Sequence, residues 1–361
     1  MNQQFLRAKD SILKYISTNN LRSGDKLPSV RGFAKEFGVS PLTVQKALSL
    51  LISQGLLNAK VGSGTYIAAP EVKTNANRTI GVIMPPFQPG QSIFPGIILS
   101  GIEECLKENN YRALLIQRYQ GDVEKEELSS INDILQQGPQ GVIVNLTSPQ
   151  QSLAWMKLAQ IKIPVVCVNN LGPRHIFSGV TTNNVMGGRL VAETLWNKGH
   201  TDVIIAAGDL QSNSVIDRLS GFENFYRLKG IEIPEKNKFY NSVGDVSKET
   251  IKKWAEEIAA MKKRPTAIFA IHDGVAAELM LQLKISGLQI PEDISIIGFD
   301  DNEICRFTTP QLTTVRQPAF DIGKRAAEII LSQISEKGAC ELSEISLTPE
   351  LVLRQSVTNI Q

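Results

Sequence analysis

Arg31, Lys35, Thr43, Gln45, Lys46 and Lys60 lie close together near the start of the chain. Their side chains can donate to anions and to base edges. Glutamine pairs two-pronged with adenine, and lysine suits guanine or phosphate. Arg31 and Lys35, four residues apart on one helix face, could clamp a phosphate backbone. Gly62 and Gly64 carry no side chain, so a backbone there can approach a minor groove closely. Each residue alone reads equally well as solvated surface; the argument rests on their being together. Catalytic patterns are missing. No GxSxG nucleophile elbow occurs, Gly62-Ser63-Gly64 being only a wing tip, and Gly323-Lys324 is followed by Arg325 rather than Ser or Thr. His175, His200 and His272 have no metal-ligand spacing. His200, after Gly199 at a helix end, reads as a cap. No enzyme chemistry, metal or cofactor is expected.

The elements that must position these groups follow from periodicity. Phe5, Ala8, Ile12 and Ile16 recur at helical spacing, and Val30, Phe33, Ala34 and Phe37 give a short second helix ended by Gly38. Ser40 is an N-cap and Pro41 the first residue of a third helix, whose buried stripe is Val44, Ala47, Leu48 and Leu51. Gly55 stops it. That stripe turns Leu42, Lys46 and Ser49 outward, flanked by Thr43 and Gln45. Two short apolar strands around Gly62-Ser63-Gly64 make a hairpin wing. Residues 1–69 thus read as a winged helix-turn-helix unit, and the polar, aperiodic stretch 70–78 as a linker.

From residue 79 onward, strand and helix patterns alternate. Strands are expected at Ile80–Met84, Ala113–Gln117, Gly141–Asn145 and Val165–Val168. After a break near 170–185 come Val203–Ala207, Lys238–Tyr240, Ala267–Ala270 and Ile294–Phe299. Helices lie between, among them 150–161, 187–198, 217–229 and 247–261. That order implies two parallel sheets with right-handed crossovers, hence two lobes spanning 79–361. Ligands then bind at the C-terminal ends of the strands.

Composition agrees. Of 361 residues, 42% are hydrophobic and 20% charged, a globular balance. Residues 1–77 hold ten Lys/Arg against four Asp/Glu, net +6; the remainder holds 28 against 32, net −4. A basic head on an acidic body points to a polyanion partner for the head. The polar start and the lack of any long apolar run disfavour export and membrane insertion, so a cytoplasmic protein is expected. Cys105, Cys167, Cys305 and Cys340 are expected to be buried free thiols.

The run GDKLPSVR (24–31), then FGVSPLTV (37–44), Ala47, Leu48 and Leu51, GLL (55–57) and GSGTYI (62–67) resembles the winged-helix head of the GntR, gluconate-repressor-type, regulators. The resemblance implies operator contacts from Arg31, Ser40, Thr43, Lys46, Gly62 and Gly64. That family often carries arginine where this chain has Pro41 and Gln45.

The body is similar to the LacI/GalR effector domain, which shares the periplasmic-binding-protein fold. The likeness runs through TIGVI (79–83), IPVV (163–166), Gly187-Gly188, KGH (198–200), RLSGF (218–222), RPTA (264–267), IPEDISIIGFD (290–300) and TTPQLTTV (308–315). It implies that Phe94 packs on a ligand and that Arg218 and Asp300 hydrogen-bond it. Asn183, Asp273, Ser212 and Ser214 complete the implied site. A sugar suits this set, since carboxylate accepts, guanidinium donates and an aromatic ring covers the C–H face. Arg218 and Asp300 could instead form a structural ion pair, Phe94 could be core, and Asp273 could cap a helix. As a cleft residue outside the core, Arg218 is expected to be removable with the fold largely intact. The hybrid resembles the arabinose-repressor subgroup. The resemblance implies a homodimer on palindromic double-stranded operator DNA, repressing carbohydrate genes until a monosaccharide binds. A ligand-dependent activator, a cytoplasmic sugar-binding protein and an enzyme on the same scaffold are the alternatives.

Overall fold

A computed structural model describes residues 3–19, 21, 23–60, 63–68, 78–85, 93–117, 122–147, 152–173, 175–210, 212–241, 246–336 and 341–360. The expected linker lies almost wholly outside them, as do Gly62 and Cys340. The chain forms two compact bodies, one of residues 1–83, 114–142 and 148–165, the other of 84–113, 143–147 and 166–361.

The first body opens with three helices, α1 (Gln3–Thr18), α2 (Val30–Phe37) and α3 (Pro41–Ser53), then the hairpin β1 (Leu57–Lys60) and β2 (Gly64–Ile67). The cap signals work as expected. Ser29 Oγ accepts from Gly32 N and Ser40 Oγ from Thr43 N, both at 3.1 Å. Gly38 ends α2 at a φ of 65°, in the left-handed region that glycine enters without strain. Ile12, Phe33, Val44, Ala47, Leu51 and Leu57 are fully buried in one core. The hairpin is antiparallel, pairing Leu57 with Ile67 and Lys60 with Gly64.

The body's elements follow in chain order: β3 (Thr79–Ile83), α4 (Phe94–Glu108), β4 (Arg112–Ile116), α5 (Val123–Gln136), β5 (Gly141–Val144), α6 (Leu153–Leu158), β6 (Val165–Val168), β7 (Ser178–Thr182), α7 (Asn184–Asn197) and β8 (Val203–Asp209). Next come α8 (Asn213–Leu228), β9 (Lys238–Asn241), α9 (Lys248–Ala260), β10 (Ala267–Ala270), α10 (Asp273–Ile285), β11 (Ser295–Ile297) and α11 (Ile304–Phe307). The last are β12 (Thr314–Arg316), α12 (Ala319–Ser335), β13 (Glu344–Leu347) and β14 (Glu350–Val352). Of these, β3, α5, α6 and most of β4 belong to the first body.

In the second body a four-stranded sheet has the order β11-β10-β8-β9, with every pair parallel. Successive side chains of a strand point to opposite faces. Ile204, Ala206, Ile268 and Ala270 therefore pack with α9 and α10, while Val203, Ile205, Phe269 and Ile271 pack with α7 and α8. Strands β6, β7 and β13 also pair in parallel. A short antiparallel pair, β12 with β14, adds to the parallel sheets.

Two helix pairs meet through glycine. A Cβ at Gly188 of α7 would collide with the Arg218 carbonyl of α8, and one at Gly221 of α8 with the Val185 carbonyl of α7. Gly101 of α4 and Gly323 of α12 stand in the same reciprocal relation, against the carbonyls of Phe320 and Ile98. Without a Cβ, each backbone can approach its neighbour directly.

Three sequence expectations change. The break at 170–185 contains β7. The helix expected over 150–161 is described only as the six residues of α6. Helix α8 begins at Asn213, four residues earlier than its apolar pattern suggests. Cys105, Cys167 and Cys305 are buried free thiols.

Candidate functional site

In the head, the side of α3 away from the core is open and, apart from the exposed Leu42, polar. Gln45 and Lys46 are exposed, as are Arg31 and Lys35 on α2. Ser40 and Thr43 are tied by a 2.8 Å hydroxyl contact, so the cap also fixes Thr43 at the helix start. On the wing, Lys60 Nζ lies 5.1 Å from the Tyr66 ring centroid and Lys26 Nζ lies 5.9 Å from it. Lys26 bridges to Tyr66 through the backbone, and its side chain fills the space beside Gly64, whose φ is 128°. Lys26 and Tyr66 escaped the sequence reading because only the closing of the GDKLPS turn onto β2 brings them beside Lys60. The surface so made is a basic, donor-rich face suited to a phosphate backbone.

In the second body a closed polar circuit forms around Arg218. This arginine sits in the second turn of α8, and Gly188 beneath it lets α7 come close. Its Nε donates to Asn184 Oδ1 and its Nη1 to the Ile271 carbonyl, both at 2.9 Å. Nη2 lies 3.4 Å from Asp300 Oδ1, and the guanidinium stacks 3.8 Å from the Phe299 ring centroid. Gln317 Nε2 donates to the same Asp300 oxygen at 2.6 Å, and Thr182 Oγ1 donates to Gln317 Oε1 at 2.6 Å. Asn184 Nδ2 returns to the Thr182 carbonyl at 3.1 Å.

Arg218 is only 6% exposed. The expectation that it stands in the cleft, apart from the core, is corrected: it is a buried charge joining α8, α7 and the end of β10. Burial lowers its pKa, and the carboxylates of Asp300 and Asp273 act the other way. The ion pair left open by the sequence therefore exists. Asp300 holds a positive φ of 117°, fixed by its N–H donating to the Val315 carbonyl at 2.8 Å. Such strain in a non-glycine residue gathers at functional positions. Its Oδ1 is committed, and among the described residues its Oδ2 has no protein partner.

The other expected ligand residues divide. Phe94 is buried at the start of α4, and Ser212 and Ser214 begin α8, exposed and half-buried. Asn183 caps α7, its Oδ1 accepting from Met186 N at 2.9 Å. Asp273 is fully buried. Thr314 Oγ1 donates to one oxygen at 2.6 Å and Asn302 N to the other at 2.7 Å. Burial, with the Asp300 charge second, raises its pKa well above the carboxylate range. Both oxygens therefore serve to hold the Asn302 turn and β12. Sequence reasoning missed Thr182, Asn184 and Gln317. It also missed Asn145, which follows β5 with a buried Oδ1 that has no partner among the described residues. A polar residue directly after an apolar strand is the signal that could have found Asn145.

Comparison with known proteins follows the same division. Residues 5–67 match bacterial regulatory proteins of the gntR family, and residues 192–357 match the periplasmic binding protein-like domain. The arabinose metabolism transcriptional repressor of Geobacillus stearothermophilus is 29% identical over 99% of this chain and 98% of its own. The HTH-type transcriptional repressor PurR of Vibrio cholerae serotype O1 is 30% identical over 81% of this chain and 84% of its own. A crystal structure of a LacI family transcriptional regulator from Enterococcus faecium with bound ribose superimposes with a TM-score of 0.64. It covers 78% of this chain and all of that one at 24% identity, which establishes the shared fold.

Proposed function

Because the chain belongs to the bacterial HTH-type transcriptional repressors that join a DNA-binding head to a periplasmic-binding-protein-like body, here with a gntR-type head, we propose that it represses carbohydrate genes until a monosaccharide binds. The observation that carries this reading is the pairing of an exposed donor-rich α3 with a buried polar circuit whose Asp300 Oδ2 is left to accept from a ligand. Residues 1–69 form the DNA-binding domain, 70–78 the linker and 79–361 the effector domain. Arg31, Lys35, Ser40, Thr43, Gln45, Lys46, Lys60, Gly62 and Gly64 meet operator DNA. Asp300 accepts from sugar hydroxyls. Arg218 holds it in place and offers Nη2, Phe94 covers the apolar face, and Asn183, Ser212 and Ser214 line the rim.

A single three-helix head reads few bases, so two heads of a homodimer on a palindrome supply the affinity. Such a regulator works in the cytoplasm, where its operator is, and turns nothing over. Closure around the sugar disfavours the DNA-bound arrangement, for which a coupling of ~1–3 kcal/mol suffices. The test is a thermal-shift screen of monosaccharides followed by gel shifts on the DNA upstream of its own gene. A true effector at ~100 times its dissociation constant adds about 2.7 kcal/mol of stability and releases the duplex. A sugar that stabilises the protein but leaves DNA binding unchanged would overturn the reading.

A further inference from the structure

Lys157 lies in α6 with only 4% of its surface exposed, and among the described residues no carboxylate is within ion-pair distance of it. Burial lowers its pKa, the mark of an ammonium held out of water. Its Nζ donates to the carbonyl of Gly55 at 2.6 Å. Gly55, at a φ of 68°, is the turn by which α3 gives way to the wing, and its N–H donates to the Ile52 carbonyl. Around this contact Leu128 of α5 and Leu153 of α6 are buried in the same apolar cluster as Val44, Ala47 and Leu51 of α3, and Met156 packs against it. Glu124 Oε1 accepts from Leu153 N at 2.9 Å and so pins α6 to α5. Burying a lone ammonium costs more than burying a methionine of the same length. What the lysine adds is direction, because its hydrogen bond is satisfied only in one register of α3 on α6.

We propose that Lys157 is a positioning residue. With Leu128, Leu153 and Met156 it clasps the trailing end of the recognition helix to the α5–α6 pair, so that this pair, and not the linker, sets the attitude of the head. The clasp leaves Ser40, Thr43, Gln45 and Lys46 at the leading end of α3 untouched, so it is compatible with bound DNA. Its consequence for operator binding rests on the repressor reading; its existence does not. A head held in one attitude is preorganised for a half-site, and a freed head must be ordered again on binding.

The experiment uses the full chain in four forms: wild type, Lys157→Glu, Lys157→Met and Lys157→Arg. Amide exchange is followed at residues 51–57 and 153–158, with α9 and α10 as the internal control for folding. Lys157→Glu puts a carboxylate against a carbonyl, and exchange at both segments rises by about tenfold or more, the loss of one charge-assisted hydrogen bond. Lys157→Met gives a smaller rise, and Lys157→Arg, which keeps a donor, stays near wild type. Gel shifts on the upstream duplex give the second readout. Affinity falls in Lys157→Glu while its salt slope is unchanged, because the phosphate contacts remain the same in number. Unchanged exchange at 51–57 in a folded Lys157→Glu protein overturns the clasp. So does a rise that spreads through β3 and β5, which marks Lys157 as a support of the fold alone. If the wild type shows the protected segments yet binds no duplex, the clasp stands and the repressor reading fails.

Discussion

Asp300 and Arg218 constrain one another. The Asp300 backbone is held at a positive φ, and the guanidinium is buried with its neutralising charge 3.4 Å away. Removing one member leaves the other charge uncompensated, which costs ~3–5 kcal/mol for a buried pair. Arg218→Ala and Asp300→Asn are therefore expected to lower the urea midpoint as well as abolish the sugar response. Arg218→Lys does not restore either, because one ammonium cannot reach Asn184, Ile271 and Asp300 together. A variant with a wild-type midpoint and wild-type sugar affinity contradicts this.

His200 gives a pH dependence of known sign. It is buried, with Nδ1 3.0 Å from Thr266 Oγ1 and Nε2 3.0 Å from the Thr358 carbonyl, and burial lowers its pKa from 6.5. The unfolded chain then takes up the proton more readily, so the stability this residue contributes is present above about pH 6.5 and is lost on acidification below it. Melting temperatures across that range should fall less steeply in His200→Gln than in wild type.

At the scale of elements, the helices of the head were the most legible part. Ser40-Pro41 marks the start of α3 by chemistry local to those residues, and its apolar stripe fixes which side faces out. Arg31→Ala and Lys46→Ala follow from that face. Each is expected to weaken operator binding and reduce the salt slope by roughly 0.9, one phosphate contact apiece. A slope that stays put in both would remove them from the interface. Strand β7 was illegible for an equally physical reason. A Cβ at Gly179 would press into the Leu171 side chain and against Cys167, so the strand must use small residues where an apolar run would have announced it. The polar circuit was half legible. The motifs around Arg218 and Asp300 are local in sequence, whereas Thr182, Asn184 and Gln317 come from segments far apart, and no pattern within any one of them announces the meeting.

Across the whole molecule, the proposed repressor reading requires DNA and sugar to act on each other with equal strength. If a sugar weakens operator binding by some factor, saturating operator weakens sugar binding by the same factor. Calorimetric titration of the sugar with and without duplex checks this, and unequal factors would mean that the two ligands do not share one equilibrium. The scaffold that carries such coupling has little slack where α7 meets α8 and α4 meets α12. An alanine at Gly101, Gly188, Gly221 or Gly323 is expected to cost ~1–3 kcal/mol or more through overpacking. Heredity sees these sites in a particular way. Every missense change of a glycine codon adds at least a Cβ, so these four codons have no conservative neighbours. In a genetic screen for derepressed colonies, substitutions should therefore gather at four positions whose neighbours are the backbones of adjoining helices.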